Sequence, residues 1–310
     1  MTVADTPSSC EDERWKSIPG QIEETVLSKR IQFYLHVPHV ESGKMAEYYN
    51  RITSVVVVAR HPLERFISAF LSRHPKNIDH TRHRNHVIRD RAAKAGVEPP
   101  IWSKAIFGSG DREADQYHRS AFKGCYPNLE EFAQCAKPGE VSEEIANKVF
   151  NTTIYWKQRG NQERNISLHC RDICRGIVTG TNRYIQHIHL NYEAFLKDLS
   201  SEKEVFVIRT KHLWEDWTEI NKMLGEKRYI EIPDRGTEAE RINARGRLPV
   251  KSNLSEEGQK IICQFLKTDI KVYTDLLNRA VNLSDDDVRE ALEEVQNSCP
   301  LLVAEDDKDI

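Results

Sequence analysis

Arg60 and Ser68 stand eight positions apart in Val55-Val-Val-Val-Ala-Arg60-His-Pro-Leu-Glu-Arg65-Phe-Ile-Ser68-Ala-Phe70, and their types suit the grip of an anion. A planar guanidinium offers a phosphate two parallel charge-assisted hydrogen bonds, and a hydroxyl adds a donor without adding charge. Arg65 lies three positions before Ser68, so on a helix it shares that face and can assist. This set fits a nucleotide phosphate.

Such a clamp needs a strand and a helix to hold it. The β-branched run over 54–59 carries no charge and reads as a strand covered on both faces, as in a parallel sheet flanked by helices. Arg60 then emerges at the carboxyl edge of the sheet, where ligands of open α/β folds bind. Pro62 fits the first helical position. Leu63, Phe66, Ile67, Phe70 and Leu71 recur at helical spacing and predict a helix over 63–72 that packs back onto the sheet. Further strands are predicted over 31–37 and 204–209, and helices over 22–29, 44–50, 128–136, 141–150, 185–199 and 214–224. A long last helix is expected to open on a capping residue, Ser255, and run to about 280. The alternation of strand and helix predicts an α/β fold around a parallel sheet.

The Arg-x-Pro-x-x-Arg-x-x-Ser-Ala-aromatic string resembles the 3′-phosphate-binding segment of sulfotransferases, which use 3′-phosphoadenosine 5′-phosphosulfate (PAPS) as donor. Tyr34-Leu-His36-Val-Pro38 is similar in type and spacing to the strand-end histidine that serves these enzymes as base. Phe122-Lys-Gly-Cys-Tyr-Pro-Asn-Leu-Glu-Glu-Phe132, Leu190-Asn-Tyr192, Val207-Ile-Arg-Thr-Lys-His-Leu-Trp-Glu-Asp-Trp217 and Ile220-Asn-Lys-Met-Leu-Gly225 look like later segments of carbohydrate-type and related eukaryotic members.

The resemblance implies a three-layer sandwich with a central parallel sheet, akin to the P-loop NTPases. It implies His36 as catalytic base and Arg60, Ser68 and Arg65 as ligands of the 3′-phosphate. Arg245 and Arg247 fall where some members close a basic loop over that phosphate. It also implies PAPS as co-substrate with no metal, and a carbohydrate or small-molecule acceptor. The expected organisation is a polar leader over 1–30, a sulfotransferase-like domain over 31–285 with an insertion over 73–120 at the active-site edge, and an acidic tail over 286–310.

The sequence departs from the family at one place. The Pro-Lys-x-Gly-Thr-Thr-like loop that holds the 5′-phosphosulfate has no counterpart: residues 1–35 contain a single glycine, Gly20, within Ile18-Pro-Gly20-Gln-Ile22. Glu41-Ser-Gly43-Lys44 fails as a P-loop because Pro38 replaces the first glycine and Met45 the Ser or Thr. A nucleoside-triphosphate-dependent kinase is disfavoured on the same ground. Two readings stand: an N-terminally incomplete copy of such an enzyme, missing its first strand, loop and helix, or a relative that binds nucleotide or glycan without turnover.

Composition sets the outer bounds. The 310 residues are 39% hydrophobic and 30% charged, ample for a core with a wet surface, and the net charge of −3 argues against a general nucleic-acid or membrane-surface role. The basic stretch 73–94 lacks Phe, Tyr and Trp for base stacking. No run approaches the roughly 18 apolar residues of a membrane span, and residues 1–14 are polar and acidic where a secretory signal would be basic, then apolar. As written, the chain reads as cytoplasmic. Seven cysteines and four Asn-x-Ser/Thr sequons, at Asn151, Asn165, Asn253 and Asn282, suit instead a lumenal protein, in the Golgi if an upstream segment supplies an anchor. His80, His83 and His86 are spaced by three but have no ligand partner evident beyond Asp79, so no metal site is expected. Cys170 and Cys174, with three residues between them, suit one helix face or a disulfide better than a redox pair or zinc.

Overall fold

The computed structural model describes residues 49–50, 52–79, 87, 90, 93–94, 119–156, 162–179, 192–225 and 254–300. The chain is mixed α/β and mostly helical, with a two-stranded parallel sheet and a two-stranded antiparallel sheet among the described residues. It divides into two compact units, one from 1–61, 192–237 and 269–295, the other from 62–191, 238–268 and 296–310. Both units draw on the span 31–285 expected to form the sulfotransferase-like domain.

In the first unit, β1 (Ser54–Ala59) and β4 (Glu204–Arg209) run parallel in register from Ser54 opposite Glu204 to Ala59 opposite Arg209. Both strands match the predicted spans. Their burial differs from expectation: Val205 through Arg209 are all buried, whereas Val58 on β1 is 58% exposed. The reason is that β4 has partners on both sides. Val281 donates its N–H to the Val205 carbonyl at 2.9 Å, and the Asn282 carboxamide continues that side of the ladder, accepting from Val207 N–H at 2.8 Å and donating to its carbonyl at 2.9 Å. The side chain of Asn282, itself buried, thus stands in for a peptide group.

Helices α5 (Tyr192–Leu196), α6 (Leu213–Met223), α8 (Lys267–Asn278) and most of α9 (Asp285–Ser298) belong to this unit. Ile220 of α6 packs against Phe206 and Ile208 of β4. Gly225, at φ +78°, closes α6 in a left-handed conformation that glycine adopts without a Cβ clash. The acidic stretch assigned to a tail from 286 is helical as far as Ser298. Its N-terminal acids favour this, since Asp285, Asp286 and Asp287 sit where the helix dipole stabilises negative charge.

The second unit is built on aromatic rings. Helix α1 (Pro62–Arg73) turns Phe66 and Phe70 into a cluster with Phe122, Tyr126 and Phe132, with ring centroids 4.8–6.0 Å apart for the pairs Phe122–Tyr126, Phe70–Phe122, Tyr126–Phe132, Phe70–Phe132 and Phe66–Phe132. The apolar spacing expected to face the sheet therefore serves this ring cluster within its own unit. Helix α2 (Leu129–Ala136) opens on Asn128, whose side chain accepts from Glu131 N–H and donates to its carboxylate, an Asn–Glu variant of the capping box.

The helix expected over 141–150 is instead a single turn, α3 (Glu143–Ala146), followed by an antiparallel hairpin of β2 (Val149–Trp156) and β3 (Gln162–His169). Ser142 caps that turn, and the β-branched and aromatic residues beyond it favour a strand. Helix α4 (Cys170–Val178) buries Cys170, Ile173, Cys174 and Ile177 on one face, and α7 (Glu256–Phe265) opens on Ser255 as predicted, with Gly258 N–H donating to the Ser255 hydroxyl at 3.0 Å. The long last helix breaks at Leu266, between α7 and α8.

Three disulfides staple this unit: Cys125–Cys170, Cys135–Cys174 and Cys263–Cys299. The second joins α2 to α4. Closing loops of 45, 39 and 36 residues removes chain entropy from the unfolded state worth about 4 kcal/mol each in the simplest account.

In the first unit, Arg209 at the end of β4 is buried and gives Asp216 of α6 contacts of 2.8–3.3 Å through Nε and Nη2, while Nη2 reaches Asp287 of α9 at 2.8 Å. Burial pulls the Arg209 pKa down, but the two carboxylates more than offset it and hold the guanidinium charged. Removing one partner of a buried pair strands the other charge. Asp216→Ala should destabilise the protein by about 3–5 kcal/mol, and Asp287→Ala, at a partly exposed carboxylate, by clearly less. Urea denaturation of the two variants checks that order.

Candidate functional site

The carboxyl edge of the β1–β4 pair is where the sequence places its anion clamp. Arg60 follows β1 directly, one step beyond the Ala59–Arg209 register pair, and is half-buried. Thr210 N–H donates to the Ala59 carbonyl at 2.8 Å, and there the ladder ends.

Beyond the last register pair a phenol bonds the main chain. The Tyr192 hydroxyl accepts from the Arg60 N–H at 2.6 Å and donates to the Arg60 carbonyl at 2.6 Å, so one side-chain oxygen satisfies both main-chain groups. Tyr192 is fixed in turn, its own N–H donating to Oδ1 of Asp269 at 2.6 Å, a carboxylate only 1% exposed. Its ring lies 5.5 Å from that of Tyr273, which is 6.5 Å from the imidazole of buried His61. Arg60 and His61 therefore leave the sheet along a path held by three side chains from α5 and α8.

A second arginine at this edge, Arg209, acts as a brace. Its guanidinium is committed to Asp216 and Asp287, and Asp216 also accepts the Arg209 N–H at 2.6 Å. Asp287 resists protonation: burial raises its pKa, and hydrogen bonds from Ser284 together with the Arg209 charge lower it by more. Away from the edge, the Tyr49 phenol donates to the Phe195 carbonyl at 2.6 Å, and burial with the nearby Asp198 charge pushes its pKa up to about 12.

Arg65 and Ser68 belong to α1 in the second unit. Both are half-buried, and their spacing of three puts them on neighbouring positions of one helix surface. The structure thus groups Arg65 with Ser68, and Arg60 with Tyr192, His61 and Asp269. His36, Arg245 and Arg247 lie outside the described residues. Among the described residues no group of three or more His, Cys, Asp or Glu side chains is placed to hold a metal ion, and no helix is long and apolar enough to cross a membrane.

Reading the sequence for charge and hydroxyls overlooked Tyr192 and Asp269. The one signal for Tyr192 was the Leu190-Asn-Tyr192 string, which carries no chemistry until the chain folds. Asp269 has Phe265, Leu266, Val272 and Tyr273 three and four positions away, so at helical spacing it is a carboxylate on an apolar face, a place that calls for a buried partner.

No family model, no curated protein and no solved structure matches this chain.

Tyr192→Phe keeps the ring and deletes the atom that bridges both polar groups of Arg60. It should cost about 1–3 kcal/mol, the penalty for taking a hydrogen-bond partner from two part-buried main-chain groups. Denaturant melts compared with Tyr273→Phe, whose ring contacts survive intact, check it.

Proposed function

We propose that this protein is a sulfotransferase that moves a sulfuryl group from PAPS to a hydroxyl or amine of a carbohydrate or small-molecule acceptor. The observation that carries the reading is Arg60, held by its backbone at the carboxyl edge of a parallel strand pair, immediately before Pro62 opens α1. That edge of a parallel sheet is where anionic nucleotide groups bind in α/β proteins. The full three-layer sandwich with a central parallel sheet belongs to this proposal, of which the β1–β4 pair is the described part.

In this reading Arg60 binds the 3′-phosphate of the donor, and Arg65 and Ser68 are the further donors that the sequence string assigns. The acceptor oxygen forms the new bond to sulfur as the bond from sulfur to the 5′-phosphate oxygen breaks. The electron pair stays on that oxygen, giving adenosine 3′,5′-bisphosphate, and the acceptor's proton passes to a base, assigned to His36. Such transfers ask the protein for in-line positioning and stabilisation of leaving-group charge. A second reading, a domain that binds nucleotide or glycan without turnover, is favoured by one observation: the sequence has no Pro-Lys-x-Gly-Thr-Thr-like loop.

Two measurements decide between them. Calorimetry should show adenosine 3′,5′-bisphosphate binding that Arg60→Ala weakens by at least ~1.5–3 kcal/mol, the range for a charged hydrogen bond; unchanged affinity would reject the clamp. Incubation with sulfate-labelled PAPS and a panel of glycan and small-molecule acceptors should yield labelled product. Binding without any label transfer would assign the chain to the second reading.

A further inference from the structure

We propose that the β2–β3 hairpin is a glycan-bearing face, modified on Asn151, Asn165 or both in an oxidising secretory compartment, and that the sequon at Asn282 stays bare. The compartment follows from the cysteines. Six of the seven are joined in three disulfides within one unit, and such bonds persist where thiols are not kept reduced.

The face follows from the register. In a sequon the asparagine and the hydroxyl residue stand two apart, so on a strand both fall on the same side. Here two sequons meet on opposing strands: Asn151 is paired with Ser167, and Thr153 with Asn165. In this register each acceptor asparagine is paired with the hydroxyl-residue position of the other sequon. Paired residues of antiparallel strands share a face, so Asn151, Ser167 and Asn165 occupy one side of the hairpin. That side is open, with Asn151, Asn165, Ser167 and His169 all exposed. The Asn151 Oδ1 accepts from the Ser167 hydroxyl at 2.7 Å, a contact that does not use its Nδ2, the atom that carries a glycan.

Asn282 differs in every respect. It is only 7% exposed, and both ends of its carboxamide bond the Val207 main chain. A sugar on that nitrogen would break the ladder beside β4.

The modification joins the asparagine Nδ2 to the anomeric carbon of an oligosaccharide carried on a polyprenyl diphosphate. The bond from that carbon to the diphosphate oxygen breaks, the lipid diphosphate leaves with the electron pair, and the amide gives up one proton. The inference is independent of the sulfuryl-transfer reading.

The test expresses the full chain behind a cleavable secretion signal in cultured eukaryotic cells. The product, taken from the medium or from the membrane fraction if retained, is treated with peptide-N-glycosidase in ¹⁸O-water and mapped by mass spectrometry. The expected result is ¹⁸O-aspartate at Asn151, Asn165 or both and none at Asn282. Asn151→Gln with Asn165→Gln should abolish that label while non-reducing maps still recover Cys125–Cys170, Cys135–Cys174 and Cys263–Cys299. An unlabelled hairpin, a labelled Asn282 in protein with all three disulfides, or free thiols at those six cysteines would overturn the proposal.

Discussion

A single hydroxyl decides how the chain leaves its parallel sheet. Where β1 stops, the N–H and carbonyl of Arg60 lie one step past the last β1–β4 register pair, and in a half-buried position such main-chain groups are costly to leave without a partner. Tyr192 supplies both partners at once, and Asp269 and Tyr273 hold Tyr192. That clasp fixes the main chain of Arg60 as it leaves β1. It spans 132 positions of sequence and lies within one compact unit.

The other strand of the sheet is secured differently. β4 is flanked by β1 on one side and by residues 281–282 on the other, where the Asn282 carboxamide replaces a peptide in the ladder. At its end, Arg209 ties the strand to α6 and α9 through two carboxylates. A buried pair of this kind adds little net stability over an apolar contact of equal volume, but it tolerates no loss of either partner. It also explains why two arginines at one sheet edge have different parts. Arg209 is consumed by structure, and Arg60 is the one the functional reading uses.

Local signals in the sequence located the local structure. The valine run and Glu204–Arg209 read as strands at their true limits, the apolar spacing of α1 and α2 read as helix, and Ser255 read as a cap. What escaped was set by contacts between distant residues. The β2–β3 hairpin was hidden because Ser142 and the acids after it announce a helix that lasts one turn. The division into two units depends on an aromatic cluster gathered from 66 to 132 and on disulfides whose pairing no spacing reveals. Of the candidate site, Arg60, Arg65 and Ser68 could be picked out by residue type and spacing. The residues that hold Arg60 in place were not, because a tyrosine and an aspartate acquire that role only when α5 and α8 come to the strand end.

The account therefore rests on a specific claim about Arg60: the group it recognises is a phosphate on the ribose 3′ position of a nucleotide. The most direct measurement compares the affinity of the intact protein for adenosine 3′,5′-bisphosphate and for adenosine 5′-monophosphate, which differ in that one group. The account predicts that the bisphosphate binds at least about tenfold more tightly, a charge-assisted contact being worth more than 1.4 kcal/mol. Equal affinities, or no binding of either nucleotide, would contradict it.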